Sequence, residues 1–172
     1  MGISFRGAPN IRSIHYRGGR GEGGETLTTT LTHRLILPTD ANHYGTLYAG
    51  SLLRLVLEAG YATAWRSTGP EANLVLRRVL NIECLHPVPV GTVIEIQGLE
   101  LYRTRVYLVV GLVGTPLHAD QGPWLEALLG FAQVDAEGRP AALPAEEAAV
   151  EVPEGEDWQR VAERLRKLLR LR

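Results

Sequence analysis

"AGSLLRLVLEAGYATAWRSTG", residues 49–69, is the stretch on which the fold turns. Leu52, Leu53, Leu55, Val56, Leu57, Ala59, Ala62 and Ala64 leave almost no polar face, which predicts a helix wrapped nearly all round by other structure. Gly69-Pro70 ends it after roughly five turns. Its single acid is Glu58.

Working outward, "TLTTTLTHRLIL" (26–37) alternates threonine with Leu27, Leu31 and Leu35, as a strand does. Pro38 stops it, and Thr39 to Asn42 make a polar turn. After the helix the pattern predicts strands at 73–85, 92–102, 105–114 and 124–135. Val88 to Gly91 and Arg103-Thr104 serve as turns, and 114–123 as a longer loop. Strands with one helix and no βαβ alternation predict an α+β domain, an antiparallel sheet curled around the helix.

Flanking segments differ in texture. Residues 1–25 include "RGGRGEGGE" and read as a glycine-rich leader, outside the domain expected at 26–144. Residues 145–172 combine an acidic linker with "DWQRVAERLRKLLRLR". There Trp158, Val161, Ala162, Leu165, Leu168 and Leu169 follow helical spacing, so an amphipathic helix is expected to dock on its own domain or on a partner subunit.

The 172 residues carry a net charge of −1, which excludes recruitment of nucleic acid by a global field. No apolar run approaches the length of a membrane span, and one cysteine, Cys84, cannot form an internal disulfide; a cytoplasmic setting is expected. Cys84 lies in an apolar run and is expected to be packed. No phosphate-binding glycine loop or zinc-type cluster is present, so neither a metal nor a resident cofactor is expected.

The candidate chemistry lies just before the helix. Gly45, Ala49 and Gly50 are small enough for a ligand to approach the backbone, and a helix start offers free N–H groups to an oxygen gaining negative charge. Asn42 is placed to hold a water or a carbonyl, His43 lies beside it, and Glu58 is the acid available to an attack on an acyl group.

"PTDANHYGTLYAGSLLRLVLEAG", "VLRRVLNIECLHPVPVG", "LYRTRVYL" and "GFAQVDAEGRPAALP" together resemble the acyl-CoA thioesterase branch of the hot-dog superfamily, over about residues 27–144 in order. The resemblance implies a hot-dog fold and a homodimer, often assembled further into tetramers or hexamers. It implies acyl-CoA as substrate, with coenzyme A entering only as part of it. Active sites would lie between subunits, which contribute the asparagine and the helix acid separately. Asn42 matches the family's asparagine, Gly45 its glycine, and Gly50 the second of a glycine pair whose first member is Ala49 here. Arg103-Thr104-Arg105 matches a Gly-Arg-Thr-Ser turn near the coenzyme A arm, which implies that Arg103 and Arg105 meet phosphates.

Four further positions depart from the family. Its catalytic acid falls fifteen residues after the asparagine, where this chain has Leu57, with Glu58 next. One step along an α-helix turns a side chain by about 100°. Glu58 would then point away from where the family's acid points; by the resemblance it matches a second, non-essential acid of some relatives, and Arg54 stands four residues before it at ion-pair spacing. A π-bulge before Glu58 would restore the direction. Leu76 and Leu80 also stand where relatives usually carry threonine and an acid, and Arg105 where serine is usual. Two functions follow as expectations: an acyl-CoA thioesterase, or a hot-dog protein that binds acyl-CoA or assembles without turnover. A dehydratase of the same fold would need a His/Glu pair at a spacing this chain lacks.

Overall fold

The computed structural model describes residues 29–117, 122–144 and 152–170. Strand β1 (Thr30–Leu35) is followed by a 3₁₀ turn at Pro38–Asp40 and the helix α1 (Ala49–Thr68). Strands β2 (Leu74–Cys84), β3 (Val93–Arg103), β4 (Tyr107–Pro116) and β5 (Leu125–Gln133) come next, then the helix α2 (Glu156–Arg170). All pairings are antiparallel, in the order β1-β3-β4-β5-β2. The leader and most of the acidic linker lie outside the described residues.

Alternation along the strands sorts side chains onto two faces. Ile94 and Ile96 of β3, Leu108, Val110 and Leu112 of β4, and Leu125, Leu129 and Phe131 of β5 meet Leu52, Leu55, Val56, Ala59 and Ala64 of α1. Every strand touches α1. At Gly60 the helix presses against β5: a Cβ there would stand 2.3 Å from Leu129 Cδ1. Register shifts at Leu76/Arg78 and Val79/Asn81 on β2, and at Glu100/Tyr102 on β3, supply the bulges that bend strands.

α1 is not wrapped all round. Leu53, Tyr61 and Trp65, spaced at four or eight residues, form an exposed row, because the sheet covers only one side of the helix. Val75, Leu76 and Val79 on β2 are also exposed. β2 ends the sheet order, so its outer edge has no strand neighbour among the described residues.

The opposite face of the sheet is covered by α2, which docks on its own domain. Trp158, Val161 and Leu165 pack on Leu99, Leu101, Val109, Val113 and Leu128. Among these lies Glu126 of β5, 1% exposed. Arg160 Nε donates to it at 3.0 Å, and Arg164 Nη1 stands 3.4 Å away while also pairing with Glu83 at 2.8 Å. The acid is buried, whereas the Arg160 and Arg164 side chains keep 46% and 31% of their exposure. Removing the arginines strands a buried charge, whereas removing the acid leaves cations that can turn to water. Glu126→Ala is therefore expected to cost about 1–3 kcal/mol, and the double replacement Arg160→Ala, Arg164→Ala more than that. Urea unfolding curves of the two variants check the order; the reverse order would contradict this account.

Cys84 is exposed at the end of β2, its thiol donating to the His86 carbonyl at 3.4 Å. The apolar run that suggested packing is an edge strand with one side uncovered.

Candidate active site

The segment between β1 and α1 is a closed loop. At its neck the Tyr48 N–H donates to the Asp40 carbonyl at 2.8 Å, and Ala41 and Leu47 form a bridge. Within it Asn42 N–H donates to the Thr46 carbonyl at 2.8 Å, and Gly45 N–H to the Asn42 carbonyl at 3.0 Å. Gly45 takes φ +73°, a conformation a side chain would strain. The loop rests on 88–90, with Leu47 N–H on the Val88 carbonyl (2.8 Å) and Val90 N–H on the Gly45 carbonyl (3.0 Å).

Asn42 builds this loop with its own side chain. Oδ1 accepts from the N–H groups of Tyr44 at 2.9 Å and Thr46 at 3.2 Å. The Thr46 hydroxyl lies 3.0 Å from Nδ2 and 3.2 Å from Oδ1. One Nδ2 hydrogen is therefore engaged with Thr46, and the amide has a second to offer. His43 and Tyr44 are exposed, with ring centroids 3.9 Å apart.

α1 begins where the loop closes. Tyr48 occupies the cap without a side-chain bond to the helix, so the first-turn N–H groups of Ala49, Gly50 and Ser51 have no side-chain acceptor from the cap. The Tyr48 ring lies over Gly50, where a Cβ would stand 2.5 Å from its Cε1. A larger residue at Gly50 would displace that ring.

α1 runs as continuous α-helix, without a π turn. Leu57 is half-buried and packs against the core beneath α1. Glu58 is exposed, and its carboxylate forms no hydrogen bond or ion pair among the described residues. Its expected partner is engaged elsewhere: Arg54 Nη2 donates to Asp40 at 3.2 Å.

Asp40 is the polar residue that reading the sequence missed. It is 3% exposed. Its carboxylate accepts from Leu37 N–H at 3.2 Å, from Arg34 Nη2 at 3.3 Å on each oxygen, and from Arg54. Burial acts to raise its pKa, but the Leu37 bond and the two arginines outweigh this and hold the carboxyl below its usual range. With the folded value depressed, this tie adds stability above the unfolded pKa of about 3.9 and loses it as pH falls through the folded value. It is intact at neutral pH. An Asp at the third position of a Pro-Thr-Asp turn reaches back to the N–H three residues before it, as in a capping box, which was the available clue.

The two arginines expected in the turn between β3 and β4 differ. Arg103 ends β3 instead of standing in the turn. Nε and Nη2 each donate to Glu100 at 2.6 Å, and Nη2 reaches the Ser67 carbonyl at the end of α1 at 3.2 Å. Its side chain is 6% exposed. Arg105 is exposed, and its carbonyl accepts Leu143 N–H at 2.7 Å. Leu76 lies opposite Phe131 in the register, whereas Leu80 packs with the cluster under α2. Among the described residues no group of three or more His, Cys, Asp or Glu is arranged to hold a metal ion. No described helix is long and apolar enough to cross a membrane.

No protein-family model matches the chain, and no curated protein does. Solved structures do. A hexameric acyl-CoA thioesterase, in its apo form, is 24% identical with a TM-score of 0.66, over 83% of this chain and 89% of that one. The Staphylococcus aureus acyl-CoA hydrolase, solved with butyryl coenzyme A, coenzyme A and coenzyme A disulfide, is 20% identical with a TM-score of 0.67, over 83% and 82%. The Bacillus cereus acyl-CoA hydrolase is 18% identical with a TM-score of 0.64, over 83% and 84%. The architecture these structures share with this chain is the hot-dog fold.

Proposed function

We propose that this protein is an acyl-CoA thioesterase, hydrolysing an acyl-CoA to a free acid and coenzyme A. One observation carries the reading: the first-turn N–H groups of α1 stand beside a loop held shut by Asn42, on a fold shared with acyl-CoA hydrolases. In the reaction, water oxygen bonds to the thioester carbonyl carbon, the C–S bond breaks, and the coenzyme A sulfur leaves as a thiol. The N–H groups of Ala49, Gly50 and Ser51 stabilise the carbonyl oxygen as it gains charge. The second Nδ2 hydrogen of Asn42 orients the carbonyl or the water. Glu58 takes the proton from that water and returns it to the departing sulfur, which leaves as the thiol. Its carboxylate is exposed on α1, and the proposal requires it to face Asn42 of a second copy.

The protein acts as a homodimer or a higher homo-oligomer in the cytoplasm. The exposed row Leu53, Tyr61, Trp65 and the uncovered β2 residues Val75, Leu76 and Val79 support assembly. Coenzyme A is part of the substrate, and Arg105 is the exposed cation of its turn available to a phosphate; Arg103 is already engaged by Glu100.

Free-thiol release from acyl-CoAs of graded chain length tests the proposal. Wild type is expected to turn over at least one, and Glu58→Ala to lower kcat by about 10²-fold or more. Unchanged turnover in Glu58→Ala would remove it as the base. Leu57, apolar where relatives carry their acid, favours a second reading: a protein that binds acyl-CoA without hydrolysing it. Saturable binding with no thiol release at any chain length would establish that reading instead.

A further inference from the structure

Among the polar clusters outside the proposed machinery, the Arg34–Asp40–Arg54 node reaches furthest. Glu126 fastens α2 on the far face of the sheet, and His33 with Glu95 (2.7 Å) pairs two strands at an exposed position. Asp40 instead joins three of the elements that frame the proposed site. Through its carboxylate it holds β1 at Arg34, the 3₁₀ turn at Leu37, and the second turn of α1 at Arg54. Through its carbonyl it holds Tyr48 N–H, the last residue before α1. Asn42 follows two residues later.

We propose that Asp40 is the positioning residue of this site. One buried carboxylate, shared by two arginines from different elements, fixes the Asn42 loop relative to the first turn of α1. The geometry gives each contact a part. The Tyr48–Asp40 bond closes the neck, so loop and helix start move as one piece. Arg54 ties the side of α1 to that neck, which sets the direction of the N–H groups of Ala49 to Ser51. Arg34 ties the neck to β1 and so to the sheet. A neutral side chain at 40 keeps the backbone bond to Tyr48 but holds two cations weakly, so the helix start is free to shift against the loop. Displacement of about 1 Å between groups that act on one carbonyl is enough to cost ~10²-fold in rate.

As a statement about catalysis this rests on the thioesterase reading; as a statement about geometry it does not. Asp40→Asn and Arg54→Gln are therefore read in two ways, hydrogen exchange and steady-state kinetics. In exchange, the amides of 44–51 are expected to exchange at least about tenfold faster in Asp40→Asn, with the β4–β5 ladder unchanged. Arg54→Gln, which removes one exposed arm of the node, should show the same pattern to a lesser degree. In kinetics, kcat is expected to fall about tenfold or more with KM changed less than about threefold. Asp40→Glu should restore part of kcat where the neutral variant does not. A uniform loss of protection, or equal falls in both parameters tracking thermal stability, would make Asp40 an ordinary stabilising residue and overturn the proposal. If wild type releases no thiol, the thioesterase reading fails alone, and the exchange pattern still decides for or against Asp40. If Asp40→Asn does not fold, Arg54→Gln decides, and unchanged exchange in that variant overturns the proposal.

Discussion

Asn42→Ala is expected to lower kcat/KM for thioester hydrolysis by about 10²–10³-fold, the scale of losing one preorganised donor at a reacting carbonyl. Alanine removes two things together. Oδ1 holds the N–H groups of Tyr44 and Thr46, and Nδ2 meets the Thr46 hydroxyl with a second hydrogen to offer. Asn42→Asp separates them, because a carboxylate still accepts from Tyr44 and Thr46 and has no N–H to give. If the donor matters to the reaction, the aspartate variant keeps the loop, seen as unchanged protection of residues 44–46, and loses activity as fully as alanine does. If Asn42 serves the loop alone, Asn42→Asp retains most of the turnover. Thiol release and hydrogen exchange on the two variants decide between these outcomes.

Trp124→Ala is expected to cost about 3–5 kcal/mol of stability, and thus to lower Tm by roughly 10 °C or more. Trp124 is 1% exposed and immediately precedes β5, its backbone bonded to Gly114 and Leu85. Its indole fills the space above Gly114, where a Cβ would stand 2.7 Å from Cε2 and 2.9 Å from Leu125 Cβ. A rigid ring cannot retreat as a leucine tip can, so Gly114→Ala is expected to cost about 1–3 kcal/mol by overpacking. Once the indole is gone the added methyl group finds part of the vacated room. The double variant should therefore be more stable than the sum of the single losses predicts, by about 0.5 kcal/mol or more. Strict additivity would show that Trp124 is not what excludes a side chain at Gly114.

The fold was legible because its signals are local. Leucine and alanine spacing between Gly50 and Gly69 marks the helix, and the strands at 74–84, 93–103, 107–116 and 125–133 fall within a few residues of their apolar runs. Burial was harder to read. The exposed row on α1, Leu53, Tyr61 and Trp65, is as apolar as its buried face, and an apolar pattern does not say which side the sheet will cover. Ionic partners lie further from reach. Arg54 has an acid four residues away, yet it chooses Asp40, fourteen residues back, because the 3₁₀ turn folds that carboxylate against α1. Glu126 stands alone in an apolar strand until α2 supplies Arg160, thirty-four residues later. Arg103 belongs to Glu100 three residues before it, a pairing visible in the spacing but easily passed over beside a turn. In the candidate site, Asn42 and the glycine-rich helix start could be found from the sequence. Thr46, whose hydroxyl meets both ends of the Asn42 amide, could not.

The covering of the sheet by α2 has a consequence for how this chain comes into being. β3, β4 and β5 leave the ribosome before α2, and the side chains that α2 covers, Leu99, Val109, Val113 and Leu128, leave with them. During synthesis at about 5–20 residues per second, these side chains wait seconds for Trp158 and Leu165 to arrive. The interval ends when the arginines of α2 reach Glu126.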